Sequence, residues 1–448
     1  MKQQAVVVGG GIVGIFSAIY LKGFYRDVVL IEKEERLGGL LTSYQDHSAI
    51  SYDYGTHIPC QTNIPEIDSI VFDYMPEREW EIFEQLKVGN YFNGIYNDKT
   101  GFPNLLSLPR SIYTEGIVDF LNGGHANSEY ENLKQYLTAV YGDIFSKEVY
   151  EPIMHKLLNK STEQLHINAF KIFDIKRLVV GDVNLTKELK KSELIDSKCA
   201  FPTYEIGASS NLKYYPKNNK GIKKWIDTLE KKAREEGINV KIGTTIQEIK
   251  YDREYITSIM LDNGEVFSPE KVVWTIPNQF LLRDIETPFT KFTPLEFREM
   301  RLYNFNFNKQ FKVKEHYIYC FDNKLHSYRI TLYPNLTESL VKQNIFNCTV
   351  EVLTQVNNQI SSDCILNELI TMGIIDKTYE VVNSSVCSIE KGFPIFTPEI
   401  VNNMKESVEI LTEKVKNLVL LGKGKGDAFF MVDSLREAYE VLSSKNEG

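Results

Sequence analysis

The first apolar run does not alternate. "AVVV", residues 5–8, is continuous and β-branched, as in a strand buried on both faces of a parallel sheet. "IFSAIYLKG" follows with helical spacing, and "DVVLIE", residues 27–32, is a second solid run. A strand–helix–strand unit is predicted. Over 106–204 the pattern turns helical: "SEYENLKQYLTAVYGDIFSKEVYEPIMHKLL" carries apolar residues at helical spacing, and Pro152 marks a helix start or kink. From 286 to 409, "MRLYNFNFNKQFKV", "HYIYCF", "SYRITLY" and "FNCTVEVL" are rich in aromatic and β-branched residues, which predicts an antiparallel sheet. "NYFNGIYN", residues 90–97, reads as a hairpin turning at Asn93 and Gly94. No internal repeat or low-complexity linker interrupts these segments.

Glycines separate the first strand from the first helix. Gly9, Gly11 and Gly14 have G-x-G-x-x-G spacing, with Ile12 and Val13 between the last two. Glu32 ends the second strand about 20 residues on, followed by Lys33. This is the context in which a dinucleotide binds. Gly9 permits the tight turn, Gly11 lets backbone approach a pyrophosphate, and Gly14 lets the helix pack on the strand. The helix N-terminus faces the phosphates, and Glu32 accepts from ribose hydroxyls. A plain glycine turn with a solvated acid is the alternative.

Composition narrows the class. The 448 residues are 43% hydrophobic and 25% charged, with a net charge of -9. A globular chain of two or three domains' worth of core follows, and nucleic acid is not an expected partner. The six cysteines form no C-x-x-C pair, and the seven histidines show no ligand spacing beside them. Neither a disulfide framework nor a metal site is expected. No apolar run is long enough to span a membrane. A cytoplasmic location and a small-molecule partner are the expectations, with a homodimer left open.

Beyond Glu32, "EKEERLGGLLTSY" places Arg36, Gly38, Gly39 and Leu40 in a second glycine signature. It resembles that of the amine oxidase and protoporphyrinogen oxidase flavoprotein superfamily. There the paired glycines lie along the FAD pyrophosphate and the arginine helps neutralise it. "YDYGTHI", residues 52–58, resembles the segment that reaches the isoalloxazine ring, implying contacts from Gly55, Thr56 and His57. "YYPKNNKGIKKWIDTLEKKAREEGINVKIGTTIQEI" resembles the central block, with Ile246 where backbone meets adenine. "NLVLLGKGKGDAFFMVDSLREAYEVL" resembles the C-terminal flavin motif, implying roles for Gly422, Asp433 and Ser434. These pieces span about half of the chain. The resemblance implies an α/β protein: a Rossmann-like FAD domain with a parallel sheet, interleaved with a substrate domain of antiparallel sheet plus helices. The expected boundaries are 1–105, 205–285 and 410–448 for the FAD domain, and 106–204 and 286–409 for the substrate domain.

Flavin chemistry needs few protein groups, because the ring accepts the hydride at N5 and the protein positions the donor. His57 is the first catalytic candidate, against a structural histidine. Lys423 is the second, a cation for the reduced ring, against a solvated lysine. Arg329, on a predicted strand, suits a substrate carboxylate or phosphate if it faces a cavity. Arg301 is similar; Phe429 and Phe430 suit either a ring wall or core. His57 and Cys60 leave covalent attachment open. The preferred reading is an FAD-dependent oxidoreductase acting on a sugar or nucleotide-sugar. "YGTHI" and the tail spacing are also similar to UDP-galactopyranose mutase, a non-redox flavin isomerase. Lys423, however, replaces the tail's arginine, and Phe429 or Ala428 replaces its tyrosine. A binding protein similar to the GDP-dissociation inhibitors is a further alternative.

Overall fold

The computed structural model describes residues 2–73, 75–124, 129–206, 211–285, 293–355, 358–422, 425 and 429–446. A five-stranded parallel sheet has the order Asn239–Lys241, Tyr25–Ile31, Lys2–Val8, Lys271–Trp274, Leu418–Leu420. The inner stretches of its two long strands, Ala5–Val8 and Val28–Ile31, are solid apolar because both faces are covered there. Ala5, Val7, Val28 and Leu30 pack beneath the helices Ile12–Lys22, Lys223–Glu235 and Met431–Asn446. Val6, Val8, Val29 and Ile31 pack on an antiparallel sheet of Ile246–Asp252, Tyr255–Leu261 and Val266–Phe267. This is the α/β Rossmann-like architecture expected. All five parallel strands present their C-terminal ends at one edge, where ligands of open α/β sheets bind.

A second, seven-stranded sheet has the order Val381–Ile395, Glu296–Phe307, Phe346–Thr354, Ser327–Leu332, Tyr317–Cys320, Val88–Phe92, Ile95–Asn97. It is antiparallel except where Val88–Phe92 runs parallel to Tyr317–Cys320. Asn93 and Gly94 take positive φ of 51° and 75°, closing the expected hairpin. That hairpin, counted above with the dinucleotide domain, is hydrogen-bonded into this second sheet.

Side-chain alternation gives the second sheet two unlike faces. Phe305, Phe307, Ile318, Ile330, Leu332, Cys348, Val350 and Val352 form an apolar core with the helix Ser362–Thr371. The opposite face buries Asn304, Thr331, Asn347, Thr349 and Glu351. It docks on the hairpin of Ser43–Gln45 and Ser51–Asp53. Asn347 donates to the Ser51 carbonyl at 3.0 Å, Asn304 donates to Tyr44, and the Tyr333 hydroxyl receives the Asp53 amide at 2.9 Å. The polar face is therefore a hydrogen-bonded seam between the seven-stranded sheet and this hairpin.

The 106–204 insertion is mostly helical, as its spacing predicts. Leu133–Tyr141 leads into a π-helical turn, Ser146–Tyr150, and then Glu151–Leu158, in whose first turn Pro152 sits. Arg298 ties this insertion to the sheet, donating to the carbonyls of Leu157 and Leu353.

Candidate active site

The glycine turn is built by close approach. Gly9 has φ of +104°, and its amide donates to the Ile31 carbonyl at 2.8 Å. A side chain at Gly14 would collide with the Gly9 carbonyl, and one at Gly10 with Leu37 and Glu32. Helix and strand thus meet as the spacing requires. The second glycine pair packs directly on this turn: the Gly38 amide donates to the Gly10 carbonyl at 2.7 Å. Gly11 and Gly39 differ from their neighbours. A Cβ on either would meet no atom within 4 Å, so both line open space at the sheet's C-terminal edge. Ile12 and Val13 are buried in the first helical turn.

Glu32 already has partners. Its carboxylate accepts from the Gly10 amide at 2.6 Å and from the Glu34 amide at 2.9 Å, so it braces the glycine turn itself. The Gly243 amide donates to the Glu34 carbonyl and that of Thr244 to the Glu32 carbonyl, bringing the start of the Ile246 strand alongside. Lys33 is exposed and pairs with Glu34. Leu40 is half-buried. The Arg36 guanidinium donates to Thr42 and lies over the Tyr54 ring, 5.4 Å from its centroid. It links the second glycine signature to the 52–58 segment.

That segment runs between two buried carboxylates. Asp53 accepts from the Ser43 hydroxyl at 2.6 Å, the Tyr215 hydroxyl at 2.7 Å and the Ile222 amide at 2.9 Å. Burial pushes its pKa up to about 6 despite these donors, of which Ser43 counts most. Glu351 lies on the other side. It accepts from the Thr56 amide at 2.9 Å and from the Thr56 hydroxyl at 3.0 Å. Burial would raise it too, but the Arg329 guanidinium outweighs burial and holds the carboxyl below its ordinary value; Thr56 and His57 assist.

The guanidinium expected to await an anion therefore already has one. Arg329 donates to both Glu351 oxygens, Nε at 2.7 Å and Nη2 at 2.8 Å. The Tyr328 ring centroid lies 5.5 Å from the Arg329 guanidinium. Tyr319 flanks the cation as well. Arg329, expected to meet substrate, is in the structure held by Glu351 directly opposite on the neighbouring strand, and through Glu351 the pair anchors the Thr56 backbone. Arg301 is likewise paired, with Glu299 at 2.8 Å.

Lys423 lies outside the described residues. Gly422 has φ of +72° and abuts Thr275 at the end of the Lys271–Trp274 strand. Ser434 is buried and Asp433 exposed in the first turn of the last helix. Asp433 faces Asp174 of the helical insertion. Asp174 is solvent-exposed, yet the atoms packed around it desolvate its carboxyl and raise its pKa; Lys176 and Arg177 oppose this, and Asp433 adds to it. Asp174 in turn acts on Tyr317 and Tyr319, whose hydroxyls burial also raises. Phe429 packs edge-on against Phe396, so it contributes to the core around these groups. Three parts of the chain thus converge: the last helix, the helical insertion and the seven-stranded sheet.

Sequence reading missed Asp53, Glu351 and Asp174. An acid inside the apolar run "FNCTVEVL" is the one signal that points to Glu351. No described helix is long and apolar enough to cross a membrane.

Residues 7–72 match the family model of an NAD(P)-binding Rossmann-like domain. The chain is 22% identical over 294 residues to the 4,4'-diaponeurosporene oxygenase of Staphylococcus aureus (strain bovine RF122 / ET3-1). That match takes in 61% of this chain and 55% of the relative, so it spans about half the relative's length. Among solved structures, reduced UDP-galactopyranose mutase superposes with a TM-score of 0.72 at 15% identity, covering 98% of this chain and 96% of that one. A candidate protoporphyrinogen oxidase from Exiguobacterium sp. 255-15 gives 0.67 at 15% identity, covering 100% and 99%. The chain has the fold of these two solved structures.

Proposed function

We propose that this chain is an FAD-dependent oxidoreductase of the amine oxidase and protoporphyrinogen oxidase type. The observation that carries the proposal is the open space at Gly11 and Gly39, where two tightly packed glycine turns leave bare backbone at the sheet's C-terminal edge. A dinucleotide diphosphate fits that cradle, which a side chain at either position would fill.

Gly9, Gly11, Ile12, Val13, Gly14, Gly38, Gly39 and Leu40 would hold the diphosphate with Arg36, and Glu32 the adenosine ribose. Ile246 would meet adenine; Gly422, Asp433 and Ser434 would line the flavin end. When bound, FAD supplies an acceptor for a hydride from substrate. The chain orients the donor. Glu351, fixed by Arg329, clamps the Thr56 amide and hydroxyl and so sets the direction of Gly55 and His57. The imidazole of His57, beside a fixed carboxylate, would bind a substrate hydroxyl or amine. Lys423 would add a cation, as its place in the C-terminal motif suggests.

The finer reading of a sugar or nucleotide-sugar substrate draws support from the hydroxyls of Thr56, Tyr317 and Tyr319. A diphosphate would need a cation other than the paired Arg329. Six free thiols support a reducing, cytoplasmic setting.

The test is a cofactor assay followed by a substrate screen. The full chain should purify yellow, releasing one FAD on denaturation. Gly11→Glu should fold, by circular dichroism, without colour. A wild-type protein that stays colourless and refuses added FAD overturns the proposal. With FAD present, turnover that consumes O2 or a dye supports the oxidoreductase. Turnover only after reduction, with no net electron transfer, would assign mutase chemistry.

A further inference from the structure

The apolar face of the seven-stranded sheet carries, at one corner, a group of polar side chains that the flavin reading does not use. His326 lies on the loop between Tyr317–Cys320 and Ser327–Leu332, while Cys364 and Glu368 lie on the helix Ser362–Thr371. One ligand atom from each, an imidazole nitrogen, the Sγ and a carboxylate oxygen, all lie within 4.8 Å of one another. We propose that His326, Cys364 and Glu368 form a binding site for one divalent metal ion, with Zn2+ the ion that suits it best.

Spacing explains the cluster. Cys364 and Glu368 are four apart on one helix, so their side chains lie on the same face one turn from each other. The helix is fixed at its start by the Ser361 hydroxyl, which accepts from the Cys364 amide. His326 reaches them from a different element, which is why the sequence gives no recognisable ligand spacing.

The carboxylate is already oriented. Glu368 is buried and accepts from the His326 amide at 2.7 Å through Oε1, and from the Ser327 amide at 2.8 Å and hydroxyl at 2.5 Å through Oε2. Oε1 carries one of these bonds and keeps a lone pair. The residue that supplies the imidazole is therefore tied by its own backbone to the residue that supplies the oxygen. From the other side, Lys156 donates to the carbonyls of Cys320, Asp322 and Ser327 at 2.7–2.8 Å, so the loop is held at both ends. Outer contacts of this kind orient metal ligands.

The donor set decides the ion. One nitrogen, one sulfur and one oxygen suit a borderline cation and exclude Mg2+ and Ca2+, which take oxygen. Tetrahedral Zn2+ with bonds of about 2.0–2.3 Å needs donors about 3.6 Å apart. The exposed His326 closes that gap by side-chain rotation and gives the ion a way in. Water takes the fourth position. Binding releases the Cys364 proton. The site ties the loop to the helix beneath the sheet and does not depend on the flavin.

Full-length protein, stripped with chelator, is dialysed against Zn2+ alone and its metal content measured. One Zn2+ per chain is expected, with Cys364 protected from alkylation as mapped by mass spectrometry. Cys364→Ser and His326→Gln should lose stoichiometric uptake. Ser327→Ala, which removes the hydroxyl that orients Glu368, should weaken it about ten- to a hundredfold. His155→Gln, at an exposed histidine elsewhere, should change nothing. Alkylation of wild-type Cys364 at the same rate with and without Zn2+ overturns the proposal, whatever the variants do. So does undiminished uptake by Cys364→Ser.

Discussion

Asp53 and Glu351 are both buried carboxylates, and both hold the same short turn, one from each side. They are built on opposite principles. Glu351 has a cation, a bidentate guanidinium, and stays below its ordinary pKa. Asp53 has no ion pair among the described residues and rests on a serine, a tyrosine and a backbone amide, with its pKa near 6. A charged partner anchors the segment strongly at any pH above the acid range. Neutral donors anchor it in a way that titrates.

Breaking the paired side should cost most. Arg329→Met leaves Glu351 buried without its cation, a loss of about 3–5 kcal/mol. Removing both partners, as Arg329→Met with Glu351→Leu, should recover part of that. The recovery stops short because the Thr56 amide is then left without its acceptor, about 1–3 kcal/mol. Urea unfolding of the two single variants and the double variant measures both. A double variant no better than Arg329→Met would mean that the ion pair is not what the seam relies on.

The unpaired side should show itself in pH dependence. The folded pKa of Asp53, about 6, exceeds its ordinary value of 3.8. Between those values the native state keeps a proton that the unfolded state has lost, so stability falls as pH rises. A difference of that size corresponds to about 3 kcal/mol. Glu351 acts with the reverse sign: its folded pKa is depressed, so its contribution is present above the unfolded value and fades as pH falls. Asp53→Asn should therefore flatten the decline between pH of about 4 and 6 and leave the acid limb intact. Urea midpoints across that range decide it; an unchanged slope would assign the titration to another group.

Between the two acids sits Gly55, with φ of +97° and a would-be Cβ 3.3 Å from the Glu351 carboxylate. Gly55→Ala should cost about 1–2 kcal/mol from backbone strain. It should also loosen the Thr56 contact, which His57 nuclear magnetic resonance shifts would report. A variant as stable as wild type would mean the turn can relax away from Glu351.

The contrast between the acids also marks where sequence reading stops. The glycine turn was legible because its chemistry is local: spacing along a few residues encodes the turn, the helix start and the close packing of Gly14. The hairpin at Asn93 and Gly94 was legible for the same reason. Arg329 was noticed as a cation on a strand, but its partner is 22 residues away on a neighbouring strand. Only sheet register brings them together, so the sequence could not distinguish a paired arginine from a waiting one. The long edge strand Val381–Ile395 escaped notice because its half-buried face begins with Asn383, Ser385 and Cys387 while Val382 and Val386 lie on the exposed face, which removes the apolar alternation that identifies strands. Asp53 is separated from Tyr215 and Ile222 by still longer stretches.

Tyr215 offers the finest probe of the difference. Its hydroxyl donates to Asp53 at 2.7 Å, and the ring is buried beside Tyr333. Tyr215→Phe keeps the ring and removes one donor to the carboxylate. A donor to the charged form lowers a pKa, so its loss should move Asp53 further above 6. The cost should depend on pH. Below the new pKa the protonated Asp53 needs that donor least, and the penalty should be small. At neutral pH, where the carboxylate is ionised, one of its three donors is gone, and about 1 kcal/mol is expected. The variant's stability curve should therefore begin at the wild-type value in acid and keep falling to a higher pH. The same change has no route to Glu351, whose charge is balanced by Arg329, so the acid limb should superimpose. If both limbs shifted together, the two carboxylates would be coupled through the turn, and the Asp53–Gly55–Thr56 backbone would have to be treated as a single electrostatic unit.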